Sequence, residues 1–123
     1  GAGRRSIVNH AELHHRLVTA FGPNCEVANL QLENLSLREQ IEHFSNADVV
    51  IAQHGAALAN TIWMQSHARV IELSSDPAED HFSILCRIMG ITHQYFACDS
   101  DHAHVDIDDF EKWLQTAGFT GVL

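Results

Sequence analysis

Asp48-Val49-Val50-Ile51-Ala52-Gln53-His54-Gly55-Ala56-Ala57-Leu58 is the stretch that decides the fold. A continuous apolar run breaks at His-Gly, and a helix of very small residues is expected at once. The run predicts a strand buried on both faces of a parallel sheet. Gly55 is expected to let the backbone turn sharply and approach a ligand, with the small side chains of Ala56 and Ala57 keeping that approach open. The first turn of the following helix would point free N–H groups and a positive dipole end into the crevice above the strand, an arrangement suited to phosphate.

Outward from this stretch, strands and helices alternate. Asn9 with Glu12 reads as a helix cap, followed by Leu13, Leu17 and Phe21 at i, i+4, i+8, and Gly22-Pro23 stops that helix. Residues 25–30 predict a strand. Ser36 with Glu39 repeats the capping signature ahead of Leu37, Ile41 and Phe44. A short, nearly all-apolar helix is expected over residues 56–64 and a strand over 69–73. Ser75-Asp76-Pro77 predicts a helix start, with Phe82, Leu85 and Met89 facing the core and Gly90 as the stop. Residues 92–97 form another apolar-rich segment. Asp106 with Asp109 caps a last helix carrying Ile107, Phe110 and Leu114, closed by Gly118. With residues 6–8 as a short first strand, the expected class is α/β. The expected architecture is a Rossmann-like, doubly wound, mostly parallel sheet of four to five strands with helices on both faces. Ligands in such sheets sit beyond the carboxyl ends of the strands, here Asn9, residues 30–33, 53–55 and 72–75.

Composition narrows the partners. The 123 residues fit a single domain, and the sheet's thin first strand is expected of a fragment of a longer protein. Seven Lys and Arg against 16 Asp and Glu give a net charge of −9, which argues against nucleic acid and anionic membranes. An anionic ligand must then be held by local donors. No apolar stretch approaches the length of a membrane span, and Gly1-Ala2-Gly3-Arg4-Arg5 is no signal peptide. Cys25, Cys86 and Cys98 lack CxxC spacing, which favours reduced thiols in a cytoplasmic setting over a disulfide framework.

Four ordered blocks then point to a family. Arg5-x-Ile7-x-Asn9, Leu35-x-x-x-Glu39-Gln40-Ile41 with Phe44 and Ala47, His54-Gly55-Ala56-x-Leu58-x-Asn60, and Val70-Ile71-Glu72-Leu73 together resemble the family-61 glycosyltransferases. The resemblance spans about Arg4 to Ser74. It implies a GT-B architecture of two Rossmann-like domains, of which residues 1–123 are most of the C-terminal, donor-binding one. It further implies inverting transfer from a nucleotide sugar, with no cofactor and no obligatory metal. The acceptor, a glycan or a protein, would be held by an N-terminal half that also supplies the catalytic base, so the segment alone is expected to be inactive. In a eukaryotic relative the setting would be the secretory lumen. Three positions depart from the family pattern: His10 follows Asn9 in place of Glu, Ala57 stands in place of Gly, and Gln65-Ser66-His67-Ala68 replaces a Pro-Gly turn.

The candidate nucleotide-binding residues are Arg5, Asn9, His54, Gly55, Ala56, Ala57, Asn60 and Glu72, with His54 also the candidate for proton transfer. Each has a plainer alternative. His54 can bond a neighbouring group, Asn60 can tie down its loop, and Glu72 can pair with Arg69 or Arg87 instead of a ribose hydroxyl. Arg4 and Arg5 suit a diphosphate by guanidinium geometry or form a solvated basic start. Asp101, His102 and His104 resemble a metal set, but the acids around them fit a helix start better, and no metal ligand is expected. The competing function is a non-catalytic Rossmann-like module for a nucleotide or phosphometabolite. A dinucleotide oxidoreductase is disfavoured because no G-x-G-x-x-G follows any strand.

Overall fold

The computed structural model describes residues 6–23, 25–76, 78–100 and 102–118. Along the chain run β1 (Ser6–Ile7), α1 (His10–Phe21), α2 (Leu37–Asn46), β2 (Val49–Gln53), β3 (Arg69–Ser74), α3 (His81–Met89), β4 (Thr92–Ala97), β5 (His102–Ala103) and α4 (Ile107–Thr116), with 3-10 helices at Leu32–Asn34 and Ala56–Trp63. The class is α/β, built on a three-stranded parallel sheet in the order β2-β3-β4.

That sheet differs from the one expected. The five described strands divide into two parallel sheets, because β1 pairs only with β5. The order β2-β3-β4 contains no reversal, so no switch point lies within it. Residues 25–30 have strand-like composition but form no strand, because none of the described strands pairs with them, and a 3-10 turn at Leu32–Asn34 follows instead. The segment over 56–63 is a 3-10 helix. α3 begins at His81, several residues beyond the expected start; Pro77 lies outside the described residues.

Strand register explains both cores. Val70 pairs with Val50 and His93, and Glu72 with Ala52 and Tyr95, so these residues share one face of the sheet. Ile51, Ile71, Leu73 and Phe96 point the other way. On that second face Leu13 of α1 and Ile107, Phe110 and Leu114 of α4 close over Ile71 and Leu73. On the first, Phe44 of α2, Leu58 of the 3-10 helix and Cys86 of α3 close over Val70. Full burial of each such side chain is worth about 1.5–3 kcal/mol, which makes these two layers the main source of stability.

Local chemistry sets the helix ends. Ser36 Oγ accepts from Glu39 N–H at 3.1 Å while Glu39 Oε1 accepts from Ser36 N–H at 3.0 Å, a complete capping box. Hydrogen bonding to its carboxyl from Ser36, from the backbone N–H first and then from the side chain, holds Glu39 below its ordinary range. Asp106 accepts from Asp109 N–H at 3.0 Å at the start of α4. Gly90 ends α3 at φ 73°, a left-handed conformation that favours glycine, and Ile91 N–H returns to the Cys86 carbonyl at 2.8 Å. Among the described residues no helix is long and apolar enough to cross a membrane.

Candidate functional site

The carboxyl ends of β2 and β3 lie side by side, because Gln53 pairs with Leu73. Past Gln53 the chain stays tethered to the sheet through His54 N–H, which donates to the Leu73 carbonyl at 3.0 Å. This places His54 next to Glu72, on the face shared with His93. The sheet, 3-10 helix and α3 then enclose a polar cluster inside an otherwise apolar layer.

Glu72 is the centre of that cluster and is wholly buried. His93 Nε2 donates to its Oε1 at 2.7 Å, and His54 Nδ1 meets its Oε2. Burial works to raise the Glu72 pKa, but the hydrogen bonds from His93 and then His54 outweigh it and hold the carboxyl below its ordinary range. His54 is itself buried at 6% exposure, and its other ring nitrogen, Nε2, lies 2.9 Å from Glu79 Oε2. The His54 ring therefore bridges two carboxylates. Glu79 arrives on the loop between β3 and α3, and His81 opens α3 with its ring 5.6 Å from that of His54. Phe82 stands edge-on to His54 at 5.1 Å and closes the apolar side.

Gly55 follows with φ 169° and ψ 175°, an extended backbone open to any residue. A Cβ built there would meet nothing closer than the Gln53 carbonyl oxygen at 3.9 Å. The fold therefore places no steric demand for glycine on this position. Leu58 N–H bonds back to the Gly55 carbonyl at 3.0 Å, and a 3-10 turn offers no intrahelical acceptor to the N–H groups of Ala56 and Ala57 before it.

The remaining candidates divide clearly. Asn9 does not cap α1 with its side chain; its Nδ2 donates to the Val105 carbonyl at 2.7 Å and its Oδ1 accepts from Val105 N–H at 2.9 Å. Asn60 Nδ2 donates to Gln40 Oε1 and to the Ala57 carbonyl, both at 3.2 Å, tying the 3-10 helix to α2. Glu72 pairs with two histidines, not with Arg69 or Arg87, and its burial leaves no exposed oxygen for a ribose. Arg69 instead donates to the Ala117 carbonyl at 2.7 Å, at the end of α4. Arg4, Arg5 and Asp101 lie outside the described residues, and His104 is exposed.

His93, Glu79 and His81 are absent from the sequence-based candidates. The signal for His93 is parity: in Thr92–Ala97 it occupies the same face as Tyr95, which pairs with Glu72. Glu79 and His81 carried no comparable signal, since the loop path that brings them to His54 has no sequence period.

Comparison with known proteins adds an independent line. Residues 1–71 match the family model described as Glycosyltransferase 61. The chain is 31% identical over 87 residues to the EGF domain-specific O-linked N-acetylglucosamine transferase of Gallus gallus, covering 71% of this chain and 16% of that protein. Against the Mus musculus protein of the same name it is 30% identical over 87 residues, covering 71% of this chain and 16% of the relative. Against the Homo sapiens protein O-linked-mannose beta-1,4-N-acetylglucosaminyltransferase 2 it is 30% identical over 97 residues, with 76% and 16% covered. The matched stretch thus spans 16% of the length of these relatives. No solved structure is significantly similar to the chain.

Proposed function

The chain belongs to glycosyltransferase family 61, and on that premise we propose that it forms the donor-binding part of an inverting glycosyltransferase of GT-B architecture. The ligand in this reading is a nucleotide sugar, acting as substrate with no separate cofactor. The relatives' names specify N-acetylglucosamine transfer, which makes an N-acetylglucosaminyl donor the first candidate.

Gly55 carries the proposal. The fold tolerates a side chain there, yet the position immediately precedes two amides that the 3-10 turn leaves without an intrahelical acceptor. A ligand that must reach those amides supplies the reason for a bare backbone. The diphosphate would lie against Ala56 and Ala57 N–H, with Arg5 as an added cation. As the acceptor hydroxyl attacks the anomeric carbon and the glycosidic C–O bond breaks, negative charge builds on the departing diphosphate. Fixed N–H dipoles stabilise that charge more than they stabilise the ground state. His54 enters as a positioning residue, since both ring nitrogens are held by carboxylates. The acceptor, a glycan or protein, and the base that deprotonates it would come from chain outside the matched stretch.

Gly55→Ala tests the reading directly. Replacing glycine where the backbone is already extended and unobstructed stabilises by about 0.4–1 kcal/mol through the unfolded state. The added methyl would stand in the path to the amides and weaken nucleoside diphosphate binding by about tenfold or more, that is 1.4 kcal/mol or more. Raised melting temperature with lowered affinity is the expected pair. Unchanged affinity in the folded variant would remove the phosphate role from this loop.

A further inference from the structure

We propose that His54 Nε2, Glu79 and His81 form a binding site for a borderline divalent cation, with Zn2+ first among the candidates. Their ligand atoms all lie within 4.8 Å of one another. The inference is independent of the glycosyl-transfer reading, since it uses different atoms from the amides beyond Gly55.

The charge pattern around His54 calls for a cation. A neutral imidazole carries one N–H and one lone pair. Here one ring nitrogen meets Glu72 and the other lies 2.9 Å from Glu79 Oε2. Whichever nitrogen bears the proton, the other aims its lone pair at a carboxylate oxygen. Two acceptors at that distance need a positive centre between them, either a second proton or a metal ion. His81 supplies the third donor atom that a metal ion needs and a proton does not.

The supporting shell has the form of a metal site. Glu72 orients the His54 ring through Nδ1, leaving Nε2 to act as the ligand, and His93 in turn holds Glu72. A carboxylate behind a ligating histidine is the usual way of fixing the ring and raising its basicity. Zinc bonds of about 2.0–2.2 Å in a tetrahedron separate ligand atoms by roughly 3.3 Å, so small side-chain movements close this group around an ion. Two imidazoles and one carboxylate select Zn2+ or Co2+ over Mg2+ and Ca2+, which favour oxygen shells. Such a three-ligand set leaves a fourth position for water or a ligand oxygen.

The test is titration of the full 123-residue chain with Zn2+ by calorimetry and with Co2+ by visible absorption. One equivalent of Zn2+ should bind and raise the melting temperature, and Co2+ should show the d–d bands of a four- or five-coordinate ion. Glu79→Gln and His81→Ala, both at the edge of the cluster, should abolish this binding while the chain stays folded by circular dichroism. His67→Ala removes an exposed histidine that pairs with Asp48 and should leave it intact. Failure of Zn2+ to saturate a single site, or stoichiometric binding that survives both Glu79→Gln and His81→Ala, would overturn the assignment.

Discussion

Replacing Glu72 by Ala removes the carboxylate that His54 and His93 share. The side chains of both histidines are only 6% exposed, so water cannot take the place of the lost oxygens. Each buried polar group left without its partner costs about 1–3 kcal/mol. Loss of one member of a buried, hydrogen-bonded charged cluster costs about 3–5 kcal/mol in comparable cases. We therefore expect Glu72→Ala to lose about 3–5 kcal/mol, a large share of the roughly 5–15 kcal/mol that folds a domain. Glu72→Gln should cost less, about 1–2 kcal/mol, because its carbonyl still accepts from one histidine and its amide can donate to the lone pair of the other. Urea unfolding followed by tryptophan fluorescence reports both, since Trp113 stacks on Phe110 in the core. A Glu72→Ala chain within 1 kcal/mol of the parent would refute the network account, as would Glu72→Gln proving as damaging as Ala.

Two further outcomes follow from the hydrogen bonds. Asn9→Ala strands the N–H and carbonyl of Val105 and should destabilise by about 1–3 kcal/mol in chemical denaturation, although Asn9 makes no helix cap. Ser36→Ala breaks the capping box and should cost about 1 kcal/mol. Because Ser36 lowers the Glu39 pKa in the folded state, the contribution of Glu39 is present above the ordinary carboxylate pKa. It is lost as pH falls through the depressed folded value. Ser36→Ala removes the side-chain share and keeps the larger backbone N–H share, so the acid limb of a melting-temperature profile should be only slightly shallower in that variant.

Helices and strands were legible where a side-chain period met a chemical stop. Leu13, Leu17 and Phe21 ending at Gly22, Ser36 with Glu39, and Asp106 with Asp109 each marked a helix that forms. The apolar run of β3 was equally plain, because a central strand buries both faces. β2 forms as expected but lies at the edge of the sheet and is only partly buried, which corrects the expectation that it is covered on both faces. Strand partnership was not legible: residues 25–30 have strand-like composition but no neighbour to pair with, and β5 is only two residues long. At the candidate site, His54 and Glu72 stood out because they interrupt apolar strand ends. Their mutual contact did not, since it depends on how β2 and β3 align. Glu79 and His81 were invisible for a different reason. The later start of α3 leaves Glu79 on a loop that folds back over the strand ends, and loop paths leave no period in sequence. Gly55 was singled out for its conformational freedom, but its conformation gives no steric reason for glycine.

Titration calorimetry of the parent chain with UDP and with uridine, at one modest salt concentration, tests the central claim most directly. The nucleoside carries the base and ribose, while the nucleoside diphosphate adds only the groups that the Ala56 and Ala57 amides are proposed to hold. The account predicts that UDP binds at least about tenfold more tightly than uridine, a difference of 1.4 kcal/mol. Equal affinity for the two, or no detectable binding of UDP, would contradict it.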